Sequence, residues 1–372
     1  MNKTLHIVSF ANPLPADYGG AIEVYYKLKA LNELGIKIIF HVFLYGKQKK
    51  DHRLNQYCYQ VYYYKRNNSI LKLLSFLPYI VVSRKNKAFL DRVSQDDFPI
   101  LFEGIHTTGY LNDTLLKHRK KFVRMANIES NYYAGLFLAS NQLIQKLYYG
   151  LEYLKLRRYE NQLNAATKII AISKFEYQLL LAKYKNQMEY IAPFHPYSKI
   201  NKSLSKNYIL YHGNLSVAEN EAAAIYLVRH VFSQMDYKCI IAGKSPSKKL
   251  SKIIDAFDNI TLINNPTDQV LQSLISEAKV NVLYTHQSTG LKLKLLNVLF
   301  NGGAVVANKK MMEGTDLESL VCIASNWIEM ISHINEIMQD KLIINQRDKF
   351  NLLKGSYDNS INAERLENLI FS

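Results

Sequence analysis

An apolar run, a glycine-rich loop, a helical period and a second apolar run open this chain, and that order restricts its fold more than anything else in it. Leu5 to Phe10 reads as a strand, and the loop after it contains Gly19-Gly20. A helix is predicted from about Ala21 to Leu34, stopped by Gly35, and Ile36 to Leu44 is the next strand. Strand, helix and strand joined this way form a βαβ unit, which implies a parallel sheet. The pattern recurs at Val61–Tyr64, Pro99–Glu103, Lys121–Met125, Lys168–Ile172 and Met188–Ile191, with a long helix from about Leu143 to Asn164. A second series has strands at Tyr208–His212, Tyr237–Ala242, Ile260–Ile263, Val280–Leu283, Ala304–Ala307 and Leu320–Ile323. Between the series, Ala192 to Asn207 carries Pro193, Pro196 and a polar Ser/Lys/Asn run, the composition of a linker. The expectation is α/β, with two Rossmann-like halves; 372 residues suit two domains of ordinary size.

In open α/β sheets ligands gather at the carboxyl ends of the strands. Gly19 and Gly20 follow the first strand and permit close approach of a ligand to backbone. They do not form G-x-G-x-x-G, which disfavours a nicotinamide cofactor. Glu103 and His106 follow the strand at Pro99–Glu103, and Asn127 and Glu129 follow Lys121–Met125. A lone histidine is more often structural, but a place at a strand end raises the case for a site role, and both readings stand here. In the second half, Gly213-Asn214, Gly243-Lys244 and Ser288-Thr289-Gly290 are three strand-end loops whose convergence would build a nucleotide cleft. The helix predicted over Leu291–Asn301 places Lys294, Asn297 and Asn301 on a polar stripe, while Lys292 falls among leucines in the first turn. A cation there opposes the helix dipole unless an anion shares the site; alternatively it snorkels to water.

Composition narrows the class. Hydrophobic content of 48% and charged content of 21% are globular values. Three scattered cysteines offer neither a disulfide framework nor zinc spacing, which fits a reducing compartment. The N-terminal run is too short and polar for a signal peptide. Ile70 to Val82, broken by Lys72 and Pro78, is too short to span a bilayer. Ile70–Tyr79 either packs into the core or lies on a membrane face. The charge of +16 is uneven: residues 1–200 hold 29 Lys+Arg against 14 Asp+Glu, and residues 201–372 hold 18 against 17. The first half therefore faces something acidic, with its cations clustered from Lys47 to Arg92 among tyrosines.

Pro15-Ala16-Asp17-Tyr18-Gly19-Gly20, Asn127-Ile128-Glu129-Ser130-Asn131, Arg158-Tyr159-Glu160, His212-Gly213-Asn214-Leu215, Ala242-Gly243-Lys244 and Gly290-Leu291-Lys292-Leu293-Lys294, in this order and spacing, match a family pattern. Over nearly its whole length the chain resembles a GT-B glycosyltransferase and is similar to glycosyltransferase family 4. The resemblance implies two Rossmann-like domains facing across a cleft. Residues 1–195 would bind the acceptor and 196–372 the nucleotide sugar, with the last helix crossing back to the first domain. It implies transfer of a sugar from a nucleoside diphosphate sugar to a glycan or lipid-linked acceptor, with retention at the anomeric carbon and no metal or other cofactor, in surface polysaccharide or glycoconjugate synthesis. Gly213 and Gly290 would admit the diphosphate, with Asn214, Ser288, Thr289 and Lys244 beside them. Lys292, with Lys294 as alternate, would neutralise the leaving group. Gly19-Gly20 would close over the reacting centre, on the acceptor side with Asn127 and Glu129; His106, by its strand-end position and beside Glu103, would orient the donor sugar or acceptor. Many relatives carry two glutamates eight residues apart where Thr289 and Asn297 stand here.

The charge split adds an anionic membrane surface as partner, with the protein cytoplasmic and peripheral on the inner face of the cell membrane; no groove-reading helix supports a nucleic-acid partner. The competing classes are a catalytically silent GT-B scaffold that binds a partner enzyme and a sugar-nucleotide epimerase of the same fold.

Overall fold

Thirteen strands organise the described residues. A computed structural model describes residues 3–140, 142–197, 206–286, 293–341 and 346–372. The chain divides into two compact units, one running to Pro196 and taking in Ser356–Ser372, the other Tyr197–Gly355.

In the first unit the strands are β1 (Thr4–Ser9), β2 (Lys37–Leu44), β3 (Gln60–Lys65), β4 (Ile100–Glu103), β5 (Lys121–Met125), β6 (Lys168–Ala171) and β7 (Met188–Tyr190). The helices are α1 (Gly19–Glu33), α2 (Tyr79–Val82), α3 (Lys87–Val93), α4 (Glu129–Ala139), α5 (Leu143–Tyr159) and α6 (Lys174–Tyr184). The sheet order is β3-β2-β1-β4-β5-β6-β7, and the pairings are parallel. Both faces of such a sheet are covered, so its strands are apolar almost throughout. Leu5 and Ile7 join Leu28, Phe40 and Phe194 on one side, while Val8 joins Phe43, Phe89 and Phe102 on the other.

The second unit repeats the plan with β8 (Lys206–Asn214), β9 (Lys238–Lys244), β10 (Ile260–Asn264), β11 (Ala278–Leu283), β12 (Ala304–Asn308) and β13 (Cys322–Ala324). Its helices are α7 (Ala218–His230), α8 (Lys248–Ile254), α9 (Asp268–Glu277), α10 (Leu293–Asn301), α11 (Lys309–Met312) and α12 (Trp327–Met338). The order β10-β9-β8-β11-β12-β13 is again parallel. Helix α13 (Gln346–Tyr357) follows, and α14 (Asn359–Phe371) packs in the first unit, where Ala363, Leu366 and Ile370 join Leu28 and Leu31 in one core. His195 ties this segment down: its Nε2 donates to the Tyr357 carbonyl at 2.7 Å, and Asn359 Nδ2 donates to the His195 carbonyl at 2.7 Å.

Helix α4 runs against expectation. The sequence predicts only a polar strand end at Asn127–Glu129, because no side chain at the position before the helix caps it. The caps come from far along the chain. Glu176 Oε1 accepts from the Ile128 amide at 3.2 Å, and Glu160 Oε1 accepts from the Ser130 amide at 3.3 Å. Two remote carboxylates thus satisfy amides that a helix start leaves open. Helix α13 continues through Gly355 to Tyr357, and the chain breaks at Asp358, which caps α14.

Candidate functional site

Each sheet has a point where its strand order reverses. In the first unit β1 and β4 are neighbours, and the chain winds outward from them in opposite directions; in the second unit the pair is β8 and β11. Loops leaving two such strands diverge, and the gap between them is the place where doubly wound sheets hold ligands. Each gap contains residues that the sequence singles out.

At the β1/β4 point, Gly104 takes a positive φ of 67° and turns the chain immediately after β4. A Cβ on Gly104 would lie 2.9 Å from His106 Nδ1, so the glycine lets the imidazole fold back over the turn. The His106 ring stacks on Phe10, which follows β1, with centroids 4.9 Å apart. A Cβ on Gly20 would lie 3.2 Å from Phe10 Cζ. The backbone at Gly20, the Phe10 ring and the His106 ring therefore stand in contact sequence. Burial holds the His106 pKa well below the ordinary histidine value, with Arg84 and Arg66 adding to the effect. His106 is neutral at pH 7, and its buried Nδ1 has no hydrogen-bond partner among the described residues.

Arg84 completes this group and was not singled out from sequence as a site residue. Its Nε donates to the Phe10 carbonyl at 3.0 Å and its guanidinium to the Ile80 carbonyl at 2.6 Å. Burial pushes its pKa down to about 9. Glu129 lies within its field. Burial raises the Glu129 pKa to about 7, opposed by a hydrogen bond with Asn127 and by Arg84. The structure thus brings together Gly20, His106, Asn127 and Glu129. Gly19 is the first residue of α1.

Glu103 goes elsewhere. Lys27 Nζ donates to its Oε2 at 2.8 Å and to Glu23 Oε2 at 2.7 Å, and Arg124 Nε donates to Glu23 Oε1 at 2.6 Å. All four side chains are buried. Burial raises the Glu103 pKa to about 7, with Lys27 opposing. A strand-end position predicts polar company but not which face of the sheet receives the side chain. Here the carboxylate is engaged by a lysine of α1.

At the carboxyl end of β8, one strand of the β8/β11 point, its other neighbour β9 approaches closely. Gly213 and Gly243 are register partners, as are Asn214 and Lys244. A Cβ on Gly243 would sit 2.0 Å from the Gly213 carbonyl oxygen, a distance that excludes any other residue without backbone movement. A Cβ on Gly213 would meet Lys294 Nζ at 2.7 Å. Lys294, from the second residue of α10, donates to Asn220 Oδ1 at 2.5 Å, and Asn220 Nδ2 donates to the Asn214 carbonyl at 2.9 Å. The ammonium also stands 5.7 Å from the Tyr211 ring centroid. Burial, then Lys294, lowers the pKa of neighbouring His212 to about 3. A cation is therefore held over a glycine at a strand end, with amide groups around it. Lys244 is exposed at the same strand ends. The start of α7 is less hospitable to anions, because its first turn carries Glu219 and Glu221. Thr285 Oγ1 donates to the Glu219 carboxylate.

Ser288, Thr289, Gly290 and Lys292 lie outside the described residues. Asn297, on the polar stripe of α10, is buried and accepts from Asn301 Nδ2 at 2.9 Å. A cavity of about 230 Å³ lies beyond the ends of β11, β12 and β13; its lining includes Tyr226, Tyr284, His286 and Lys309. The Tyr226 and Tyr284 rings stack there at 4.6 Å. Among the described residues, no group of His, Cys, Asp and Glu is arranged to hold a metal ion, and no helix is long and apolar enough to cross a membrane.

Known proteins share this architecture. No family model matches the chain. It is 28% identical over 350 residues, 88% of its length and 89% of the relative's, to an uncharacterized 44.6 kDa protein in the cps region of Klebsiella pneumoniae. Among solved structures, TarM superposes with a TM-score of 0.71 at 12% identity, covering 100% of this chain and 99% of that one. Sucrose-phosphate synthase from Thermosynechococcus elongatus gives 0.70 at 14% identity over 99% and 98%. HepE of Anabaena, solved with UDP and glucose, gives 0.63 at 13% over 99% of both chains. The chain has the two-domain GT-B fold of these proteins.

Proposed function

We propose that this protein is a glycosyltransferase that moves a sugar from a nucleoside diphosphate sugar to a glycan or lipid-linked acceptor, with retention at the anomeric carbon. The observation that carries this reading is Lys294 held over Gly213 at the β8/β11 switch point, an arrangement suited to a diphosphate. Negative charge grows on that diphosphate as its bond to the anomeric carbon breaks. A fixed ammonium that favours the developing charge lowers the barrier. Lys294 takes that role here, with Lys244, Asn214 and Gly213 as donor-binding neighbours. Lys292, Ser288, Thr289 and Gly290 are assigned to the same group by family resemblance. The acceptor belongs to the first unit, with Gly19, Gly20, Asn127 and Glu129 on its side. His106, neutral and stacked on Phe10, orients the reacting groups by hydrogen bonding. Glu103 is assigned to holding α1 against the sheet through Lys27.

The Klebsiella relative in a cps region supports a role in surface polysaccharide synthesis. HepE was solved with UDP and glucose, which supports a nucleoside diphosphate sugar as donor. The surplus of Lys and Arg in residues 1–200 supports work at the inner face of the cell membrane, on a lipid-linked acceptor. A second reading, a silent scaffold, is favoured by one observation: Asn297 stands where many relatives have a glutamate, and it is buried against Asn301. Release of nucleoside diphosphate from a panel of donors, without acceptor, separates the two. The enzyme hydrolyses one donor slowly, and the scaffold releases nothing.

A further inference from the structure

The first unit exposes apolar side chains along one line. On α5, Leu143, Ile144, Leu147, Leu151 and Leu154 are each more than half exposed, and Ile144 reaches 83%. Their spacing of three and four residues places them on one stripe of the helix. The opposite stripe, with Glu152, Leu156 and Tyr159, is buried. The helix is therefore anchored by one face and apolar on the other. A 3-10 turn over Ile70–Leu74 lies alongside, joined by a bond of 2.8 Å from Lys155 Nζ to the Leu73 carbonyl. It adds Leu71 and Leu74, and Phe76 just beyond it is 94% exposed. Scattered apolar residues on a surface need no explanation, but a contiguous stripe does.

Charge identifies what covers it. Residues 65–77 and 143–159 contain seven Lys and Arg and one acid, Glu152, which is 1% exposed and paired with Lys155 at 3.1 Å. The apolar line is thus bordered by cations with no exposed carboxylate among them. A second copy of this basic surface would bring like charge against it. An interface that is apolar in its interior and anionic at its surface is that of a bilayer.

We infer that the outer face of α5 and the Ile70–Phe76 segment insert into the headgroup region of an anionic membrane. This rests on the proposed reading of the protein as an enzyme acting at the membrane and names the surface that does the docking. The full chain is sedimented with phosphatidylcholine vesicles, with and without phosphatidylglycerol. Binding requires the anionic lipid and weakens with salt. Leu147→Asp/Leu151→Asp weakens binding at least about tenfold, leaving circular dichroism and nucleoside diphosphate release unchanged. In a Trp327→Phe background, Leu151→Trp shifts its fluorescence to the blue on anionic vesicles. Equal binding by wild type and the double Asp variant, binding to neither lipid, or an unshifted Trp overturns the inference. So does a wild-type dimer that the Asp variant dissolves, since the stripe would then be covered by a second copy. Failure of the donor assay alone counts against the transferase and leaves the docking surface standing or falling on the vesicles.

Discussion

Replacing Lys294 with methionine removes one charge and keeps the length and apolarity of the stem. The ammonium donates to Asn220 at 2.5 Å and fills the space over Gly213. Two effects are separable. Folding loses a half-buried hydrogen bond, a cost of about 1 kcal/mol. Donor binding loses a charge-assisted contact, about 1.5–3 kcal/mol, or roughly 10- to 150-fold in Kd. Calorimetry with nucleoside diphosphates measures the second, and urea unfolding measures the first. An independent reporter stands beside the lysine. Burial and Lys294 together hold His212 at about 3. Without the lysine the His212 pKa rises, which NMR titration follows. An unchanged diphosphate Kd, alongside a His212 titration that moves as stated, would refute the placement of Lys294 at the phosphate. The proximity would then be real and the function wrong.

Three further outcomes follow from the same geometry. His106→Ala lowers kcat far more than it weakens donor affinity, because an orienting contact matters most in the transition state; equal kcat in the variant returns His106 to a structural role. Gly243→Ala places a Cβ 2.0 Å from a backbone oxygen and destabilises the fold by about 1–3 kcal/mol or more, whereas Gly213→Ala meets the tip of a flexible lysine and costs little stability; thermal melts of the pair check the contrast. Burial lowers the His195 pKa to about 4, so the unfolded chain takes up its proton near 6.5 and the folded chain does not. Stability from this group is therefore intact above about pH 6.5 and falls as pH drops, reaching a loss of about 3 kcal/mol below pH 4. His195→Gln, which keeps a donor for the Tyr357 carbonyl, flattens the pH dependence of the urea midpoint.

The strands were legible because a covered parallel sheet has apolar strands, and runs such as Leu5–Phe10 and Ala304–Ala307 have few other uses. Helix α4 was not, since Glu129–Ala139 lacks amphipathic period and draws its caps from Glu160 and Glu176, far along the chain. Gly355 lies inside α13, where a Cβ would meet nothing within 4 Å among the described residues, so the glycine is tolerated in an open stretch of helix. At the site, strand-end glycines pointed to Gly213 and Gly20, because close approach is a local demand. What stands against them is not local. Phe10 stacks on His106 across β1 and β4, Arg84 reaches the Phe10 carbonyl, and Asn220 receives Lys294 from 74 residues away. Glu103 shows the converse. Its position at a strand end implied polar company, but the partner it takes, Lys27, lies 76 residues earlier.

The most direct test of the transferase assignment is the release of nucleoside diphosphate by the purified chain from a panel of sugar donors, with and without a lipid-linked glycan acceptor. Release is expected from one donor class, faster with acceptor, and nearly abolished in a double variant of Lys294→Met and His106→Ala. Release from no donor by a folded protein that still binds nucleoside diphosphate contradicts it and leaves the silent scaffold.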